Sequence, residues 1–305
     1  MNEAFRDDLI EALSRSPKSI SPKWFYDEAG SALFEEITAL EEYYPTRTET
    51  ALLRAIAQQL TAEIPDDAVL VEFGSGASAK TRVLLDAAPQ ISAYVPLDIS
   101  VEALETAAGS IRDAYPELEV QPIAGDFTRP MTLPPLLDQR PRVGFFPGST
   151  IGNFGPEAAR EFLRQVRALL GEDAAFIVGA DLVKDEDTLV SAYDDAEGVT
   201  AAFNLNLLER ANREAGADFK PTAFMHRAIW DAAQSRIEMH LVSLIDQAVR
   251  IGGWHFRFEE GETLHTENSY KFTLDGFSAL AAESGWTIGR RWVSPPPEFA
   301  VFLLR

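Results

Sequence analysis

Five short apolar runs separated by helical stretches constrain this chain more than anything else in it. The runs are AVLVEFG (68–74), AYVPLDIS (93–100), EVQPIAGDF (119–127), RVGFFPGST (142–150) and AAFIVGADLV (174–183). Between them, KTRVLLDAA, VEALETAAGSIRDAY and PEAAREFLRQVRALL carry apolar residues at helical spacing. Short strands alternating with crossover helices predict an α/β chain built on a parallel, doubly wound sheet. The C-terminus leaves that rhythm. Helix LDGFSALAAESG leads to strand WTIGRRWVS, a PPPE link and strand FAVFLLR. A parallel crossover needs about a dozen residues or more, so the last two strands must pair antiparallel.

Composition narrows the partners. With 46% hydrophobic residues in 305, the chain can bury a core of its own, and its net charge of −21 repels phosphate backbones and anionic lipid headgroups. Nucleic acid and membrane are therefore not expected as partners. The absence of cysteine removes disulfides, thiolate metal sites and cysteine nucleophiles. The start, MNEAFRDDLIEALSRS, is acidic and lacks a signal peptide's apolar core, and no apolar stretch reaches membrane-spanning length. The expectation is a cytoplasmic protein working as a monomer.

VEFGSGASAK lies between a predicted strand and helix, where Gly74 and Gly76 let backbone approach a ligand and the helix N-terminus offers free N–H groups. The loop also fits the dinucleotide pattern as Gly74, Gly76 and Ala79, with Asp98 as a candidate ribose acceptor, so an NAD enzyme is one reading. Three features favour another: Glu72 two residues before the first glycine, the GDF turn at Gly125–Phe127, and the antiparallel terminal hairpin. Together they resemble class I methyltransferases, with a Rossmann-like core. That resemblance implies S-adenosylmethionine as cofactor, with Glu72, Gly74 and Gly76 in its loop, Asp98 on the ribose hydroxyls and Asp126 near the adenine amino group. Carboxylate acceptors suit such a ligand, which has hydroxyls, an amine and a sulfonium but no pyrophosphate. The general pattern would place a third glycine where Ser78 stands.

Segments outside the alternating core form a second set: KWFYDEAGSALFEEIT, EEYYPTRTE, FFPGSTIGNF, AYDDAEGVTAAFNLNLL and TENSYKF. Over nearly the whole chain they resemble the histidine-specific N-alpha-methyltransferases of ergothioneine biosynthesis. The resemblance implies transfer of three methyl groups to the α-amino nitrogen of L-histidine, giving hercynine. It assigns Tyr43, Asn153 and Tyr193 to the reacting amino-acid end and Tyr26 to a place near cofactor and substrate. Glu267 and Ser269 would read the imidazole ring, with Met239 an apolar contact there. Gly74, Lys80, Asp98, Asp126 and Phe127 would bind cofactor. The chemistry of the pair agrees, since imidazole needs an acceptor for its N–H and a donor for its bare nitrogen. Two residues apart in an extended segment, Glu267 and Ser269 also share a face.

The interruption between about 185 and 270 reads as a helical stretch followed by β-like sequence, an inserted second lobe. The expected division is a substrate-binding lobe of 1–47 with 184–271 and a methyltransferase core of 48–183 with 272–305. Pro45 should bend the chain ahead of a helix beginning near Glu49. None of His226, His240, His255 and His265 stands in a general-base motif or at H-x-x-x-H spacing, so no metal is expected. The competing readings are the same fold acting on another amine such as tryptophan, a non-catalytic S-adenosylmethionine-binding protein, and the NAD dehydrogenase.

Overall fold

The computed structural model describes residues 2–76, 79–129, 131–134 and 140–305. The chain divides into two compact units, Met1–Tyr44 with Lys184–Tyr270 and Pro45–Val183 with Lys271–Arg305.

In chain order, the first unit opens with α1 (Glu3–Ser14), β1 (Lys18–Ser19) and α2 (Glu28–Ala39). The second unit takes up α3 (Tyr44–Thr61), β2 (Ala68–Phe73), α4 (Ala79–Ala87), β3 (Ile91–Asp98), α5 (Val101–Ala114), β4 (Glu119–Val120), β5 (Ile123–Ala124), β6 (Arg142–Phe146), α6 (Pro156–Leu170) and β7 (Ala175–Asp181). The chain then returns to the first unit for α7 (Glu186–Ser191), α8 (Val199–Ala215), β8 (Phe224–Asp231), β9 (Arg236–Ser243), β10 (Gln247–Ile251), β11 (Trp254–Phe258) and β12 (Thr263–Tyr270). It ends in the second with α9 (Leu274–Glu283), β13 (Ile288–Val293) and β14 (Phe299–Leu304).

In the second unit the described strands form one sheet in the order β13-β14-β7-β6-β2-β3-β4, with β5 also on β3. Strands β7, β6, β2, β3, β4 and β5 run parallel, and β14 pairs antiparallel with both β7 and β13, as the short PPPE link required. Alternation divides β2 between two apolar layers. Val69, Val71 and Phe73 pack with Phe146, Phe162 and Phe176, while Ala68 and Leu70 pack with Leu53, Ile56 and Leu60 of α3. Burying each such phenylalanine contributes about 1.5–3 kcal/mol relative to leaving it exposed.

Two local expectations are corrected. The helix expected near Glu49 begins at Tyr44, because Pro45 fits a first turn where its missing N–H has no partner to lose. The run EVQPIAGDF forms two two-residue strands instead of one, because Pro122 between them cannot donate to the ladder.

In the first unit, sheet β1-β12-β9-β8 is covered by helices that bring Phe5, Trp24, Phe25, Phe203 and Leu207 against Leu241 and Leu264. The long helical stretch of the sequence is split into α7 and α8, with Gly198 at φ 75° supplying the left-handed residue ahead of α8. Among the described residues no helix is long and apolar enough to cross a membrane.

Candidate active site

The second unit's sheet reverses direction of growth between β2 and β6, since the chain passes from β2 outward to β3 and β4, then returns to β6 on the other side. Ligands of open α/β sheets bind beyond the carboxyl ends of the strands at such a switch point. The loop after β2 begins with Gly74 at φ 75°, whose N–H donates to Leu97 O at 2.8 Å. A Cβ at Gly76 would meet no described atom within 4 Å. Ser78 lies outside the described residues. Asp98 closes β3. Burial raises its pKa against the opposing hydrogen bonds from the N–H groups of Ser100, Ile99, Gly76 and Ser75. Gly125 N donates to Asp98 O at 2.8 Å, which ties the GDF turn to the end of β3. In that turn Asp126 accepts from Thr128 N at 3.0 Å, and the half-buried Phe127 ring meets Phe73 edge-on at 6.1 Å.

Glu72 lies beneath this loop and not on its surface. It is 2% exposed, and its carboxylate accepts from Thr81 Oγ1 at 2.8 and 2.7 Å and from the Tyr94 hydroxyl. Burial pushes its pKa up to about 7, although the Tyr94 and Thr81 hydrogen bonds oppose the rise. After β6, Gly148 and Ser149 both adopt positive φ, 83° and 56°, ahead of a 3₁₀ turn, Thr150–Asn153, that ends on half-buried Asn153. Ser149 Oγ accepts from Asp181 N at 2.9 Å and so fixes that strained residue to the end of β7.

In the first unit, the predicted substrate residues assemble through strand register. Glu267 of β12 stands directly opposite Met239 of β9, and Ser269 opposite Ile237. A bulge produces this pairing. His265 opposes His240, and Thr266 is the extra residue before Glu267. Continuous pairing would set Glu267 against Glu238, on the other face of the sheet. Ser269 is buried and shares a 2.7 Å hydrogen bond with the Tyr193 hydroxyl. The Tyr193 ring meets Tyr43 edge-on at 6.1 Å, Tyr43 meets Phe34 at 6.2 Å, and Phe34 meets Tyr26 at 5.6 Å. Tyr26, Tyr43, Tyr193, Met239, Glu267 and Ser269 thus belong to one aromatic-walled, strand-backed group.

Two supports were invisible in the sequence. His226, which stands in no motif of the sequence, is buried. Its Nε2–H donates to Tyr193 O at 2.8 Å while Nδ1 accepts from Asn204 Nδ2 at 2.8 Å. Burial lowers the His226 pKa, which suits the neutral ring these partners require. Glu238, His240 and His265 also meet, on the face away from Met239, where Glu238 takes hydrogen bonds from both Arg236 and His240.

The switch point, its acid-ended strands and the antiparallel last strand define a class I, S-adenosylmethionine-dependent methyltransferase. Residues 5–305 match the family model described as histidine-specific methyltransferase, SAM-dependent. The chain is 43% identical to a histidine N-alpha-methyltransferase of Mycolicibacterium smegmatis over 99% of this chain and 94% of the relative. It is 41% identical to one of Mycobacterium tuberculosis over 98% and 94%. It is also 33% identical to ergothioneine biosynthesis protein 1 of Neurospora crassa, over 90% of this chain and 32% of that longer protein. The chain belongs to the family of histidine-specific, S-adenosylmethionine-dependent methyltransferases.

Proposed function

We propose that this protein transfers methyl groups from S-adenosylmethionine to the α-amino nitrogen of L-histidine, three times, to give hercynine. The observation that carries the substrate is the bulged β12, which sets a carboxylate, Glu267, and a hydroxyl, Ser269, on the same face as apolar Met239. Glu267 accepts from the imidazole N–H and Ser269 donates to the bare ring nitrogen, its own acceptor capacity being met by Tyr193. An indole has no second ring nitrogen for that donor, which sets histidine apart from tryptophan.

The switch point fits the cofactor: among the described residues no atom stands within 4 Å of a Cβ at Gly76, and Asp98 and Asp126 supply the acceptors. Bound there, S-adenosylmethionine supplies an electrophilic methyl carbon on a sulfonium. Asp98 holds the ribose hydroxyls, Asp126 and Phe127 the adenine, and Lys80, Gly74 and Gly76 the amino-acid end. Glu72 acts indirectly, by anchoring Thr81 of α4 under the loop. Tyr43, Asn153 and Tyr193 orient the amine for in-line attack, so positioning is the protein's main contribution. Aromatic faces such as Tyr43 and Tyr26 attract the methylated ammonium by about 0.5–2 kcal/mol. The Met1–Tyr44 and Lys184–Tyr270 unit is the substrate lobe and the other unit the methyltransferase core. The protein works in the cytoplasm as a monomer.

Mass spectrometry of reactions with S-adenosylmethionine and each common amino acid in turn tests this. Mono-, di- and trimethylated histidine alone are expected, and methylation of tryptophan in place of histidine would overturn the assignment of Glu267 and Ser269. In the same assay Glu267→Ala lowers kcat/KM for histidine by about 10–100-fold, the worth of a hydrogen bond to a charged group, with S-adenosylhomocysteine affinity unchanged.

A further inference from the structure

Glu49 of α3 is fully buried, yet it is a carboxylate. One of its oxygens, Oε2, lies 2.5 Å from Lys80 Nζ and accepts from Gly148 N at 2.8 Å. The other, Oε1, has no hydrogen-bond partner among the described residues and occupies a slot that exists only because residue 179 is glycine. A Cβ there would stand 1.9 Å from Oε1. Such burial costs several kcal/mol per ion unless geometry compensates, so an isolated packing role would be better filled by an apolar side chain. What Glu49 touches explains it. Lys80 lies in the first turn of α4, which follows the glycine loop after β2, and Gly148 lies in the loop after β6, so the carboxylate ties the start of α4 to the loop on the other side of the switch point. Gly148 is bare enough for the ammonium to come within 3.6 Å of where its Cβ would be.

We infer that Glu49 is a positioning residue for the cofactor: it fixes the Lys80 ammonium at the switch point so that the donors it leaves free meet the carboxylate of the cofactor's amino-acid end. This rests on the reading that Lys80 binds that end. A lysine carries a flexible four-carbon stem and three donors; with one donor held by Glu49, the other two point in a set direction at no further entropic cost.

The test is calorimetric binding of two ligands, S-adenosylhomocysteine, which has the amino-acid end, and 5′-methylthioadenosine, which lacks it. Glu49→Gln is expected to weaken S-adenosylhomocysteine about tenfold, to leave 5′-methylthioadenosine unchanged, and to add nothing further in combination with Lys80→Met. Equal weakening of both ligands, or unchanged or tighter S-adenosylhomocysteine binding, would overturn the inference. If Lys80→Met itself leaves both affinities unchanged, the reading of Lys80 fails first. Should Glu49→Gln not fold, Glu49→Asp, which keeps the charge but withdraws it from Lys80, is expected to lower the same ligand ratio, and an unchanged ratio overturns the inference equally.

Discussion

The two units build their polar sites by opposite means. In the core, the proposed cofactor site gathers at the ends of parallel strands and the helices beside them and is dominated by charge and backbone: Asp98 with the loop N–H groups that bond it, Asp126, and the Glu49–Lys80 pair. In the lobe the proposed substrate site sits on antiparallel strands, and its carboxylate, Glu267, is accompanied by groups without formal charge, the Tyr193–Ser269 bond and the His226 contact to Tyr193. A loop site depends on backbone conformation at a few residues. A strand site depends on register, which one residue can invert.

The sharpest way to break that comparison is to insert one alanine between Glu267 and Asn268. Glu267 keeps its place opposite Met239, and continuous pairing beyond it sets the inserted residue against Glu238 and Ser269 against Arg236, on the face of Glu238. Histidine methylation should be abolished while S-adenosylhomocysteine still binds with near-wild-type affinity. Methylation that survives the insertion would show that strand register does not aim the pair.

The contrast also explains what could be read from the sequence. The parallel sheet, the antiparallel terminal strand and the positions of Gly74, Asp98 and Asp126 follow from apolar runs and loop residues that are local in sequence. Glu267 and Ser269 could be paired by their spacing, but not placed opposite Met239, because a bulge leaves no local mark in TLHTENSY. His226 and Glu49 escaped for a related reason. Each is defined by partners far along the chain, Tyr193 and Asn204 for one, Lys80 and Gly148 for the other. Glu49 within PTRTE looked like an ordinary acid near a helix start. Its burial and the Gly179 slot are tertiary facts.

The units should also differ in the sign of their response to pH. Glu72 has a folded-state pKa raised to about 7, so between its unfolded value of 4.5 and pH 7 the native state binds the extra proton. Stability from the core therefore falls as pH rises through that window. His226 in the lobe has a lowered pKa, so its contribution falls as pH drops below the unfolded value of 6.5. Glu72→Gln keeps an acceptor for Thr81 and Tyr94 without the charge. Its stability relative to wild type, measured by urea unfolding, should grow between pH 5 and pH 8 by on the order of 3 kcal/mol. A constant difference across that range would mean Glu72 is ionised throughout in the folded protein.

The smallest effect separates conformation from ligand approach within the core loop. Gly74 and Gly76 both favour close backbone contact, but for different reasons. At Gly74 a Cβ meets only the Phe127 ring at 3.7 Å, ordinary contact, so the cost of Gly74→Ala is that of φ 75°, about 1 kcal/mol per residue. Gly76 does not adopt a positive φ, and no described atom lies within 4 Å of its would-be Cβ. Gly76→Ala should therefore leave the melting temperature unchanged, and any loss of S-adenosylhomocysteine affinity it causes reports the ligand lying against that backbone. Gly74→Ala should lower both, with affinity down about fivefold, while Tyr193, Ser269 and the rest of the lobe keep the KM for histidine near wild type. A fall in the melting temperature of Gly76→Ala as large as that of Gly74→Ala would assign both glycines to loop shape and remove the case for direct approach at Gly76.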